Sequence, residues 1–264
     1  MNRDVYTEAG RLAEAGQAFC IVLITATKGS TPRKVGAMML VRADGSCAGT
    51  IGGGAVETAA KNEALDALRD GHARSRQYAL DEKVEGVPTA SMCGGQMEVF
   101  FAPTPPRDVL YLFGGGHVGK ETATIAAQAG WQVELFDERP DLVARERHPS
   151  ASGLHTGDIM DRARKLVLGQ HDFVLLITHR HDLDLALLKV ILPKNPRYIG
   201  VIASRKKAAE FRKELAAAGH SAETIERVHM PVGLSIGAQT PAEIAVAIVA
   251  QMIEIRGGGK VKSS

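Results

Sequence analysis

Cysteine is scarce in this chain: three stand in 264 residues, at positions 20, 47 and 93. An odd number without paired metal spacing excludes a disulfide framework and a structural zinc centre, and it suits a reducing compartment. Charge of one sign is also lacking. Thirty-two basic residues face 30 acidic ones and leave a formal +2, so electrostatics argue against nucleic acid as the main partner. Apolar runs such as 173–177 are strand-length, far short of the roughly 20 residues that span a bilayer, which predicts no membrane segment. The opening Met-Asn-Arg-Asp lacks a signal peptide's apolar region and favours a cytoplasmic location. There is no Tyr-x-x-x-Lys pair of the kind that relays a proton beside a nicotinamide.

What is present is a chain with 45% hydrophobic residues, enough for one large or two modest domains. Its most informative stretch is Val109-Leu-Tyr-Leu-Phe-Gly-Gly-Gly-His-Val-Gly119, an apolar run that breaks into glycines and reopens as a helix. Gly114, Gly116 and Gly119 fit GxGxxG: the first permits a tight turn, the second lets backbone approach a pyrophosphate, the third lets helix pack on strand. Asp137 ends the next strand, 18 residues past Gly119, where a carboxylate can accept ribose hydroxyls, and Arg139 offers a 2′-phosphate partner instead. The turn predicts NAD(P) binding. The alternative is a βα turn that serves only the sheet.

Three prolines at 103, 105 and 106 read as a stiff linker, dividing the chain into domains at 1–105 and 106–256, with a polar, glycine-rich tail at 257–264 expected to be disordered. The second domain alternates strands at 109–113, 132–136, 173–177 and 197–202 with helices from about 117, 159, 184 and 206, which implies a parallel sheet. Its last helix opens at Thr240-Pro-Ala-Glu243, a capping box with proline in the first turn, and stops at Arg256. Ile244, Ile248 and Met252 on that helix form a face for either the core or a homodimer. His179, His181 and Asp182 read as a polar strand end or as metal ligands, and Asp184 as a helix cap.

The first domain is mixed. A helix at 4–15 precedes a buried strand at 19–25, and 37–41 with 46–51 form a hairpin. Backbone donors at Gly52, Gly53 and Gly54 then converge on a helix N-terminus suited to an anion, while Ser30 and Arg33 lie on a nearby hydroxyl-rich and cationic turn. Cys20 and Cys47 read as packed residues. Cys93, between Met92 and two glycines, reads as a functional thiol or as a buried one at a tight bend.

Taken in order, Gly29-Ser-Thr-Pro-Arg33, Gly36-Ala-Met-Met-Leu40, Gly49-Thr-Ile-Gly-Gly-Gly54 with Glu57, Met92-Cys-Gly-Gly95, the 113–119 turn, Thr178-His-Arg-His-Asp182, the 198–205 stretch and Pro231-Val-Gly-Leu-Ser-Ile-Gly237 resemble the XdhC/CoxI family. The resemblance spans nearly the whole chain. It implies a mixed α/β amino-terminal domain followed by a Rossmann-like parallel-sheet domain. It also implies a non-catalytic accessory role: binding molybdenum cofactor (molybdopterin), protecting it while its sulfido ligand is installed, and delivering it to a molybdenum hydroxylase such as xanthine dehydrogenase, with a cysteine desulfurase as second partner. Cys93 would be the soft ligand toward molybdenum, and Gly52, Gly53, Gly54, Ser30 and Arg33 would meet the phosphate. Ala55 stands where many relatives carry cysteine, leaving Cys93 as the loop thiol. The dinucleotide turn alone suggests the alternative, an NAD(P)-dependent oxidoreductase.

Overall fold

The structure, a computed structural model, describes residues 2–80 and 95–258. Cys93 and residues 259–264 of the tail lie outside them. The chain divides into two compact units, Met1–Arg107 and Asp108–Ser264.

In the first unit, α1 (Arg3–Glu14) leads into β1 (Phe19–Lys28), β2 (Met38–Arg42) and β3 (Cys47–Gly49), followed by α2 (Gly54–Asp70), β4 (Arg74–Ala79) and β5 (Gln96–Thr104). The five strands form an antiparallel sheet in the order β3-β2-β1-β5-β4. Strand period two sends Cys20, Val22 and Ile24 to one face, where Val56, Ala60, Ala64 and Ala67 of α2 cover them. Phe19, Met38 and Leu40 point the other way, against Val5 and Leu12 of α1. A helix on each face explains why β1 and β2 read as continuous apolar runs.

Two expectations are corrected here. Pro103 is not in a linker but within β5, paired with Cys20. Strand β4 begins opposite Phe101, so from Ala102 onward β5 is an edge on that flank, where a residue without an N–H is tolerated. Cys47 does not pack: it is exposed, because β3 is a three-residue edge strand.

The second unit runs β6 (Val109–Phe113), α3 (His117–Gln128), β7 (Gln132–Phe136), β8 (Gly153–His155), α4 (Ile159–Lys165), β9 (Asp172–Leu176), α5 (His181–Ile191), β10 (Tyr198–Val201), α6 (Arg205–Ala217), α7 (Ala222–Glu226), β11 (Val228–His229) and α8 (Pro241–Arg256). Its parallel sheet has the order β11-β10-β9-β6-β7-β8, with the reversal between β6 and β9. That is the doubly wound Rossmann arrangement, in which ligands approach the strand ends at the reversal. Leu110, Leu112, Phe173 and Leu175 face a core with Ala123 and Ala126 of α3 and Ile248, Val249 and Met252 of α8. Phe113, Val174 and Leu176 face α4, α5 and α6.

Helix α8 carries the full capping box at Thr240 and Glu243. Ile248 and Met252 are core residues rather than an exposed face, and the exposed apolar residues of α8 are Val246 and Ile253. At its far end the Arg256 guanidinium lies 3.9 Å over the Trp131 ring and donates to the Ala129 carbonyl, while Arg197 donates to the carbonyls of Ile255 and Arg256.

Candidate functional site

In the first unit the structure places the 30–32 loop against both Gly52 and Gly95. A Cβ on Gly52 would lie 2.6 Å from Cγ of Pro32, and one on Gly95 would lie 2.1 Å from the carbonyl oxygen of Ser30. Both contacts require glycine. Ser30, Pro32, Gly52 and the last glycine of Met92-Cys-Gly-Gly95 are therefore neighbours. Thr31 Oγ1 shapes the first loop by donating to the Arg33 carbonyl at 2.8 Å. Gly53 and Gly54 have open space where side chains would be, at φ of +77° and +66°.

Of the amides expected to receive an anion, that of Gly53 already holds one of the chain's own. Glu57, in the first turn of α2, accepts at Oε2 from the amides of Ile51 (3.2 Å) and Gly53 (3.0 Å) and from the Thr50 hydroxyl. The Gly52 amide donates to Thr50 Oγ1 at 3.1 Å. A carboxylate at a helix N-terminus is favoured by the macrodipole and by charge-assisted bonding. Glu57 is visible in the motif, but its role is not; the available signal is its position four residues after Gly53. Beside this turn a surface recess of about 520 Å³ is lined by Gly45, Ser46, Cys47, Gly54, Glu57, Thr58 and Lys61. Cys47 is thus an exposed thiol near the glycine loop, although partial desolvation pushes its thiol pKa up against the pull of Lys61.

In the second unit Gly114 and Gly119 play their expected roles. A Cβ on Gly119 would meet the Gly114 carbonyl oxygen at 1.9 Å, and one on Gly114, at φ +124°, would meet that of Ile177 at 2.4 Å. Gly116, the residue before α3, has open space around it. Asp137 is not poised for ribose. Its buried carboxylate accepts from the Gly115 amide at 2.8 Å, the Arg139 amide at 3.0 Å, and Arg139 Nε and Nη2 at 2.9 Å each. Burial pushes its pKa up, but the arginine and the two amides outweigh that and hold it below the usual carboxylate range.

Asp184 also departs from expectation. Helix α5 begins at His181, so Asp184 lies in its first turn rather than at its cap, fully buried, with Oδ1 accepting from the Thr178 amide at 3.0 Å and Oδ2 without a partner. Burial pushes its carboxyl up to about 6. His179, His181 and Asp182 do not assemble into a centre: among the described residues no group of three His, Cys, Asp or Glu side chains is placed to hold a metal ion, and Asp182 pairs with Arg180.

Residues 110–252 match the XdhC Rossmann domain, and residues 12–79 match the XdhC and CoxI family. Among curated relatives, YqeB of Escherichia coli is 35% identical over 99% of this chain and 48% of its own length. A Bacillus subtilis protein named as a probable subunit of xanthine dehydrogenase is 31% identical over 60% of this chain and 46% of its own length. The molybdenum cofactor insertion chaperone PaoD of Escherichia coli is 22% identical over 97% of this chain and 89% of its own length. The chain thus spans about half the length of the first two relatives. A solved structure from Bacillus halodurans, described as a xanthine dehydrogenase, shares the fold with a TM-score of 0.54 at 24% identity, covering 98% of this chain and 97% of that one. No helix among the described residues is long and apolar enough to cross a membrane.

Proposed function

This chain belongs to the XdhC and CoxI family, and from that premise we propose that it binds molybdenum cofactor as cargo and hands it to a molybdenum hydroxylase such as xanthine dehydrogenase. The observation that supports the reading is the close approach of the 30–32 loop to Gly52 through Pro32 and to Gly95 through the Ser30 carbonyl. The names of the Escherichia coli insertion chaperone and the Bacillus subtilis relative support the same class of cargo and partner.

Such cargo combines a phosphate, a flat pterin and a soft metal-sulfur end. Arg33 and Ser30 suit the phosphate, and a thiolate at Cys93 suits the soft end. With Glu57 holding the amides of Ile51 and Gly53, the phosphate falls to the side chains of the 29–33 loop and to Gly54, where space is open. Installing the sulfido ligand while the cargo is held brings in a cysteine desulfurase as second partner.

Purification from cells able to make molybdenum cofactor, followed by elemental and mass analysis, tests the proposal. Molybdenum and pterin in near-equal amounts are expected. Cys93→Ser should retain less pterin while leaving the unfolding midpoint unchanged. A protein that emerges free of both molybdenum and pterin from such cells, yet is fully folded, would overturn the reading.

A further inference from the structure

A Rossmann unit with GxGxxG and an acidic residue ending its second strand implies NAD(P), and its residues can be tested against that ligand. They do not fit. Ribose recognition needs a carboxylate with acceptor capacity turned to the crevice, whereas both Asp137 oxygens are engaged by the Gly115 amide and by the backbone and guanidinium of Arg139. The glycine turn is also pressed from two sides. Gly115, the residue GxGxxG leaves free, must be glycine here because the Leu142 carbonyl oxygen lies 2.4 Å from its Cβ position, while the Ile177 carbonyl stands at the same distance from that of Gly114. Arg147 Nε reaches the Gly115 carbonyl at 3.4 Å, and buried His148 holds the Leu142 carbonyl at 2.9 Å. The crevice between Gly114, Phe136, Asp137, Thr178, His179 and Leu183 leaves essentially no volume for a water-sized sphere, about 0 Å³. Gly116 alone keeps the open space that a pyrophosphate needs.

We infer that Asp137 and Arg139 form a latch that closes the dinucleotide crevice, so that this Rossmann unit takes neither NAD(H) nor NADP(H). The segment after β7 lies over the glycine turn, and Asp137 fastens it by bonding the turn's backbone and the segment's first arginine at once. This inference is independent of the cargo assigned to the first unit.

Two measurements on the full chain decide it. Calorimetric titration with NAD⁺, NADH, NADP⁺ and NADPH should give no saturable binding tighter than about 1 mM. Amide exchange followed by NMR should show Gly115 protected in the parent and at least about tenfold less protected in Asp137→Ala, as expected for loss of a charge-assisted bond. Saturable binding of any of the four dinucleotides would overturn the latch. So would NADPH binding that Arg139→Ala abolishes, which would make Arg139 a 2′-phosphate ligand. A Gly115 amide exchanging at the same rate in both proteins would overturn it independently, with thermal unfolding confirming that the variant is folded.

Discussion

The glycine turns at 52–54 and 114–116 both lead from a strand into a helix, and each gives a backbone amide to a carboxylate of the same chain. They differ in where the carboxylate comes from. Glu57 sits on the helix that its own turn opens, so that arrangement is local. Asp137 arrives from the end of the next strand, 22 residues beyond Gly115, and brings Arg139 with it. The local turn therefore needs only its helix to be formed, whereas the second needs β7 and the following segment in place. A glycine motif identifies a set of backbone donors; what fills them is decided by the rest of the fold.

The comparison is broken most forcefully at the backbone. Gly119→Ala would drive a methyl into the Gly114 carbonyl and should cost about 4 kcal/mol, read as a lower urea midpoint for the second unit. Gly116→Ala, with open space and φ of −65° but at an N-cap that favours glycine over alanine, should cost only about 1 kcal/mol. Equal losses would mean that the turn is not packed as described.

Next are two carboxylates of the second unit, Asp137 and Asp184, which titrate in opposite senses. Asp184 is raised from 3.8 to about 6, so the folded chain binds its proton more tightly than the unfolded chain. Its contribution is full below about pH 4 and lost as pH rises through 6. Asp184→Asn should therefore match the parent near pH 4 and exceed it by about 3 kcal/mol at pH 8, from roughly two pKa units at 1.36 kcal/mol each. Asp137 is lowered, so its stabilisation is present above the ordinary carboxylate range and lost as pH falls through that lowered pKa. Denaturant midpoints across pH 4 to 8 check the first sign; a parent-like slope in Asp184→Asn would refute it.

At the first turn the expected effect is smaller than for Gly119→Ala or Asp184→Asn. Glu57→Ala strands the amides of Ile51 and Gly53 and the Thr50 hydroxyl, part-buried groups that water partly reclaims, so about 2 kcal/mol is expected. Glu57→Gln, which keeps an acceptor, should lose less. An unchanged midpoint in Glu57→Ala would show that the turn holds its shape without that carboxylate.

Patterned residues made much of the fold legible. Strands β6 and β7 stand where short apolar runs predicted them, and α8 opens on the Thr240, Pro241 and Glu243 signals. Strand β4 escapes sequence reasoning because Arg74-Ser-Arg-Gln-Tyr-Ala79 has no apolar alternation; it is an edge strand with mostly exposed or half-buried residues. At the candidate sites, the glycines were legible because positive φ and close approach leave few other residues possible. Their occupants were not. The contact of the Leu142 carbonyl with Gly115 joins two backbones, and side-chain types carry no record of it beyond an extra glycine. The roles of Glu57 and Asp184 likewise depend on which direction a first-turn carboxylate takes, inward or to solvent, and spacing alone leaves both open.

The anchoring of α8 bears on how the second unit comes into being during synthesis. Arg256 grips the Ala129 carbonyl across 127 residues of chain, and Ile248, Val249 and Met252 complete the face of the sheet that α3 only begins to cover. A nascent chain that has not yet emerged past residue 241 holds β6, β9 and β10 with one face partly bare. Contacts of such sequence separation form late and slow the search for the native topology. The second unit is therefore expected to fold late, with α8 as its closing step, and its apolar sheet face to be open to a chaperone until that helix emerges.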